Sequence, residues 1–187
     1  MQQEHPFAPF VRILARGKTK TRDLTQSEAK DAMAMILAEQ VTPEQLGAFL
    51  MLQRLKEESA EEIAGFVEAA QESFILPENA PHVDLDWSSY AGKKKQLPWF
   101  LLAALVLVKS GVKIFMHGTE GHTAGRIYTR DILKQIGFPV ESSLLGAAKA
   151  IEKSGFAYLP IEYLSPVVNH IFELKQILGL RSPIHTV

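Results

Sequence analysis

Three helix-start signals fall between residues 25 and 62, and they constrain this chain more than any other feature. Thr25-Gln-Ser-Glu28, Thr42-Pro-Glu-Gln45 and Ser59-Ala-Glu-Glu62 each place a hydroxyl three residues before a Glu or Gln. In that pattern the hydroxyl accepts a backbone N–H from the first helical turn, and the longer side chain reaches back to the cap N–H. Pro43 also sits at the first helical position, where its missing N–H costs nothing. Apolar residues follow each start at helical spacing: Ala29, Ala32, Met33 and Ile36; then Leu46, Phe49, Leu50 and Leu52; then Ile63, Phe66, Val67 and Ala70. Short helices joined by short polar connections predict a compact helical bundle over residues 1–75.

The character changes at FILPENAPH, residues 74–82, which carries two prolines and an Asn and reads as a linker. Beyond it, short β-type runs alternate with helical stretches. Strands are expected near 83–87, 112–116 and 156–160. Helices are expected over 97–110, 129–136 and 143–153, with a last one opening at Ser165-Pro166 and ending near Gly179. Strand–helix alternation predicts a parallel sheet. The fold class is therefore α/β: an all-helical N-terminal bundle, then a parallel-sheet domain over 76–187.

Composition limits the function classes. The chain has 187 residues, 47% apolar and 22% charged, enough apolar matter for a core. With no cysteine, disulfide frameworks, zinc–thiolate centres and thiol nucleophiles are excluded. The longest apolar run, Leu97 to Val108, is 12 residues and contains Pro98, so it reads as a buried helix and not a membrane span. The first residues lack a basic-then-apolar leader, and a cytoplasmic location without a membrane partner is expected. The formal charge of −1 hides an uneven distribution: residues 1–22 net +4, residues 23–80 net −9 and residues 81–187 net +4.

Three segments could carry chemistry. The first, Met116 to Arg126 (MHGTEGHTAGR), follows a predicted strand, and ligands of parallel sheets bind at the carboxyl ends of strands. Its glycines let backbone approach a ligand, and His117, Thr119 and Arg126 supply donors; a solvated connection is the competing reading. The second, Tyr90 to Gln96, places Gly92, Lys93, Lys94 and Lys95 at the end of another strand, where lysines can hold phosphate as point charges. A solvated charge run is the competing reading and the simpler one for three adjacent lysines. The third, RGKTKTR within Arg12 to Arg22, could follow a nucleic-acid backbone or be a positive face. The histidines have no metal-ligand spacing, and no serine sits in a nucleophile elbow.

Taken together, residues 17–70, with the later stretches VKIFMHG, DILKQIGF, GFAYLP and LKQILGLR in the same order, resemble the anthranilate phosphoribosyltransferase family, glycosyl transferase family 3. The resemblance implies a phosphoribosyltransferase or nucleoside-phosphorylase type fold, with residues 1–75 as a dimerisation bundle and 76–187 as a partial ligand-binding domain. It also exposes replacements. The family's Gly-Thr-Gly-Gly-Asp loop, which holds phosphoribosyl pyrophosphate, corresponds to Ser89-Tyr-Ala-Gly92-Lys-Lys-Lys95. Its Asn-x-Ser-Thr element corresponds to Gln96-Leu-Pro-Trp-Phe, and its Lys-His-Gly-Asn to Met116-His117-Gly118-Thr119. The arginine that contacts anthranilate falls at Lys175, and Arg181 matches the Gly-x-Arg element.

These replacements are similar to those of a divergent branch that lacks the glycine-rich loop and some of whose members bind nucleic acid. The resemblance therefore implies a protein that binds a phosphorylated ligand and does not transfer a phosphoribosyl group to anthranilate. A sequence-nonspecific nucleic-acid binder, using Lys93 to Lys95, Arg126, Arg130 and the Arg12–Arg22 segment, is the alternative. The implied anion-binding residues are Gly92, Lys93, Lys94, Lys95, His117, Gly118, Thr119, Arg126 and Lys175, with no catalytic residue assigned. No cofactor is expected: the family's magnesium carboxylates would lie in a longer chain, and this one reads as truncated. A homodimer is expected through the bundle.

Overall fold

The computed structural model describes residues 3–17, 19–89, 96–120 and 125–185. By contact the chain forms two compact units: Met1–Ile75 with His170–Val187, and Leu76–Asn169. The expected division placed 76–187 in one domain; in the structure the last segment groups with the helices.

The helical unit contains α1 (Ala8–Leu14), α2 (Gln26–Leu37), α3 (Pro43–Lys56) and α4 (Ala60–Glu72). All three capping boxes form, each with both reciprocal hydrogen bonds. Thr42→Ala is expected to lower the unfolding free energy by about 1 kcal/mol, as read by chemical denaturation. Helices α2 and α4 pack closely because Gly65 has no side chain: a Cβ there would lie 2.3 Å from the Gln26 carbonyl oxygen. Phe7, Phe49 and Phe66 stack edge to face through the core, with centroids 5.4 and 6.2 Å apart.

The buried stripe of α2 is the expected one. On α4 it is Glu62, Gly65, Phe66 and Ala69, not the stripe through Ile63 and Ala70. A capping glutamate thus enters the core. Glu62 is 0% exposed and accepts from four donors. Leu24 N and Gln53 Nε2 bond Oε1 at 2.9 and 3.0 Å, while Lys56 Nζ and Ser59 N bond Oε2 at 2.7 and 2.8 Å. Burial pushes the carboxyl pKa up, but the Lys56 ammonium and the other three donors outweigh it, and the net shift is downward.

The chain returns to this unit after residue 170. Phe172 lies edge-on to His185 at 4.8 Å, and Ser182 Oγ is 3.0 Å from His185 Nδ1. The helix expected to run on to Gly179 is broken into α9 (Pro166–Glu173) and α10 (Lys175–Leu178), with α8 (Ile161–Leu164) before them. Gly179 closes α10 at φ 73°, a left-handed position that suits glycine.

The second unit is built on β1 (Leu85–Ser89), β2 (Ile114–Gly118) and β3 (Phe156–Pro160), ordered β1-β2-β3 and parallel throughout. The parallel α/β expectation holds, and β3 has the expected bounds. Strands β1 and β2 start two residues later than expected. Asp84 does not enter the ladder as a strand residue: its side chain accepts from the Lys113 N–H at 2.7 Å and pins the approach to both strands.

Side chains alternate between the two faces of the sheet. Ile114, Met116, Phe156 and Tyr158 pack against α5 (Phe100–Lys109) and α6 (Thr129–Gln135). Phe115 and Ala157 pack against α7 (Leu144–Ser154). Helix α5 corrects the expectation of a buried helix. It buries Leu101 and Ala104, but Leu102 and Val106 are 53% and 63% exposed, because a helix lying on one sheet face covers only one of its own faces. Among the described residues no helix is long and apolar enough to cross a membrane.

Candidate functional site at the carboxyl edge of the sheet

Parallel pairing brings all three strand ends to one edge. Ser89, Gly118 and Pro160 lie side by side in the ladder. The first two approach so closely that a Cβ on Gly118 would lie 2.2 Å from the Ser89 carbonyl oxygen and 2.6 Å from its hydroxyl. Ser89 Oγ in turn bonds Thr129 Oγ1, at the start of α6, at 2.8 Å. Below them Tyr158 is fully buried; burial first, then the Glu120 charge, pushes its hydroxyl pKa far up, so it stays protonated.

Arginine and carboxylates ring this edge. Arg130 Nε is 2.7 Å from Glu120 Oε1, and Arg130 Nη2 donates to Glu162 Oε1. Burial raises the Glu120 pKa, assisted by Asp131 and Glu162 and opposed by Arg130 and Lys134. On the α7 face His117 Nε2 is 3.1 Å from Asp86 Oδ1, and its ring lies 5.7 Å from that of Phe115.

The structure brings His117, Gly118 and Thr119 to the carboxyl edge, with Thr119 buried. Arg126 is half-buried within the same unit and has interactions of its own. Gly92, Lys93, Lys94 and Lys95 lie outside the described residues, as does Lys18. Lys175 belongs to α10 of the helical unit.

Several cations named for a nucleic-acid backbone are already engaged. Arg12 pairs with Glu4, Arg22 grips both oxygens of Glu28 at 2.6 and 2.7 Å, and Arg130 is held as described. Arg22 draws the Glu28 carboxyl down to about 2. Among the described residues no group of three or more His, Asp or Glu side chains that could hold a metal ion comes together, and Glu120 and Glu162 are paired with Arg130.

Sequence reasoning missed Thr129, Glu162 and Tyr158 as members of this edge, and gave Glu120, inside the Met116–Arg126 segment, no role of its own. Two signals were available: Glu120 and Glu162 each stand two residues past a strand, and Tyr158 alternates with Phe156 onto the face that Met116 shares.

Residues 9–74 match the family model described as glycosyl transferase family, helical bundle domain. The chain is 30% identical over 174 residues to an anthranilate phosphoribosyltransferase of Dictyoglomus thermophilum, covering 91% of this chain and 49% of the relative. It is 29% identical over 177 residues to one of Beijerinckia indica, covering 94% and 50%. Among solved structures, the anthranilate phosphoribosyltransferase of Thermus thermophilus superposes with a TM-score of 0.77 at 23% identity, over 97% of this chain and 53% of that one. The enzyme of Saccharomyces cerevisiae in complex with PRPP and Mg superposes at 0.70 and 19% identity, over 98% and 54%. The fold is shared, and the chain spans about half the length of the curated relatives it matches.

Proposed function

We propose, from the premise that this chain belongs to the glycosyl transferase family of the anthranilate phosphoribosyltransferases, that it binds a phosphorylated ligand of the phosphoribosyl class at the carboxyl edge of its sheet and does not itself transfer a phosphoribosyl group to anthranilate. The observation that carries this reading is the side-by-side ending of β1 and β2. The chain leaves Ser89 towards Gly92 and Lys93 to Lys95, and leaves neighbouring Gly118 towards Arg126, so two donor-rich segments start from one edge. Lysines supply charge without fixed geometry. The lack of transfer follows from the replacements. Gly92 stands alone where the family has three glycines, and Thr119 stands where it has asparagine. Transfer of this kind depends on holding the leaving pyrophosphate in place.

The reading is tested by calorimetric titration with phosphoribosyl pyrophosphate and, separately, with short DNA at two salt concentrations. Saturable binding of the former is expected, lost when Lys93, Lys94 and Lys95 are all changed to Ala, with anthranilate turnover at background. Unchanged affinity in the triple variant, or turnover well above background, overturns it. DNA binding alone, falling steeply with salt, would replace it with the nucleic-acid reading. A homodimer through the helical unit is part of the proposal, and light scattering at tens of micromolar checks it.

A further inference from the structure

Arg130 is the second residue of α6 and faces the carboxyl edge, where two carboxylates from different connections close on it. Glu120 follows β2 and Glu162 follows β3, so the grip exists only because the strands pair. It is incompletely satisfied. Arg130 Nε and Glu120 Oε1 are buried and 2.7 Å apart, yet neither makes an aligned hydrogen bond. The buried Tyr158 hydroxyl lies beside them, with Ser89 as its hydrogen-bonding neighbour. A guanidinium and a carboxylate that met fork to fork would satisfy these atoms. Buried polar groups in this state at one place call for a physical reason.

We propose that Arg130 is a latent oxyanion site, held shut by Glu120 and Glu162, which occupy the guanidinium in the place of a phosphate-type ligand. This rests on the reading of the carboxyl edge as a phosphorylated-ligand site. Carboxylate and phosphate compete for the same planar donor fork, so a ligand binds Arg130 only by displacing its two internal partners. The consequence is selectivity: a pyrophosphate, with several oxyanions to engage Arg130 and the neighbouring donors, opens the latch where a single weak anion does not. Glu120 is the member that yields. Burial already disfavours its charge, Asp131 and Glu162 repel it, and Arg130 and Lys134 attract it. Acidification therefore loosens the latch from the Glu120 side, while Tyr158 stays protonated.

The test is calorimetric titration with inorganic pyrophosphate of the unaltered chain, of the variant carrying Glu120→Gln and Glu162→Gln, and of that variant with Arg130→Gln added. The carboxylate variant is expected to bind at least about tenfold more tightly, as for removal of a competing charge worth roughly 1.4 kcal/mol, and Arg130→Gln should erase the gain. Equal affinity in the first two proteins, or a gain that survives loss of Arg130, overturns the latch. Should the double variant fold poorly, Glu120→Gln alone is expected to gain several-fold, and its absence counts against the proposal equally. The two readings fail separately: if the unaltered chain binds no phosphorylated ligand the proposed function falls, while the latch is still judged by the gain and its dependence on Arg130.

Discussion

Replacing Glu62 by Gln will cost the helical unit about 3–5 kcal/mol, the range for breaking a buried ion pair on one side. The carboxylate is fully buried and ties four segments together: the entry to α2 through Leu24, α3 through Gln53 and Lys56, and the start of α4 through Ser59. Glutamine keeps one acceptor oxygen but turns a donor towards groups that are themselves donors. Lys56, only 12% exposed, is left with Asp23 as its remaining carboxylate partner at 2.6 Å. For a unit of this size the loss corresponds to more than about 10 °C in Tm, measurable by calorimetry. A change below about 1 kcal/mol would show that the hydrogen bonds barely exceed the cost of burying the charge. The pH dependence has a fixed sign. The folded pKa is lowered, so the stabilisation is complete above the unfolded carboxyl value of about 4.3 and is lost as pH falls below it towards the folded value. The Gln variant should lack this part of the acid sensitivity.

Replacing Gly118 by Ala will damage the carboxyl edge more than any surface change near it. The new Cβ would meet backbone, the Ser89 carbonyl oxygen at 2.2 Å, which cannot swing aside as a side-chain tip can. Strands β1 and β2 must part at their ends or the ladder must break there, and the Ser89–Thr129 hydroxyl pair goes with it. The expected loss is at or above the upper end of the ~1–3 kcal/mol range for overpacking, together with loss of phosphoribosyl pyrophosphate binding. Gly111→Ala is the control. That residue has φ 94° and nothing within 4 Å of its would-be Cβ, so the cost is backbone strain of about 1–2 kcal/mol, and the site at the far end of β2 is spared. Equal binding by both variants would show that the close approach of Ser89 and Gly118 does not shape the site.

The local sequence decided where elements begin and stop. A hydroxyl three residues before Glu or Gln acts over one turn of chain, so Thr25, Thr42 and Ser59 could be read without knowing what the helices would touch. Gly155 and Gly179 closed helices for an equally local reason, their left-handed φ. Alternation of strand and helix was enough to predict parallel pairing, and one shared edge for the ends of the first two strands followed from it.

Through-space relations between charges were not legible. Glu62 carried the signature of a surface cap, and its burial depends on Gly65 letting α4 settle against α2 while Lys56 arrives from α3. Arg130 read as a cation available to phosphate. Its capture needs Glu120 and Glu162, 10 and 32 residues away, which only the pairing of β2 with β3 brings together. The last residues read as a continuation of the α/β domain, yet Phe172, Ser182 and His185 settle in the helical unit. The sequence by itself determined the elements, because caps and turns are made by near neighbours. The tertiary structure decided which charges are buried and which are spent on one another, because that balance of lost hydration against pairing is set by the distance between groups far apart in the chain.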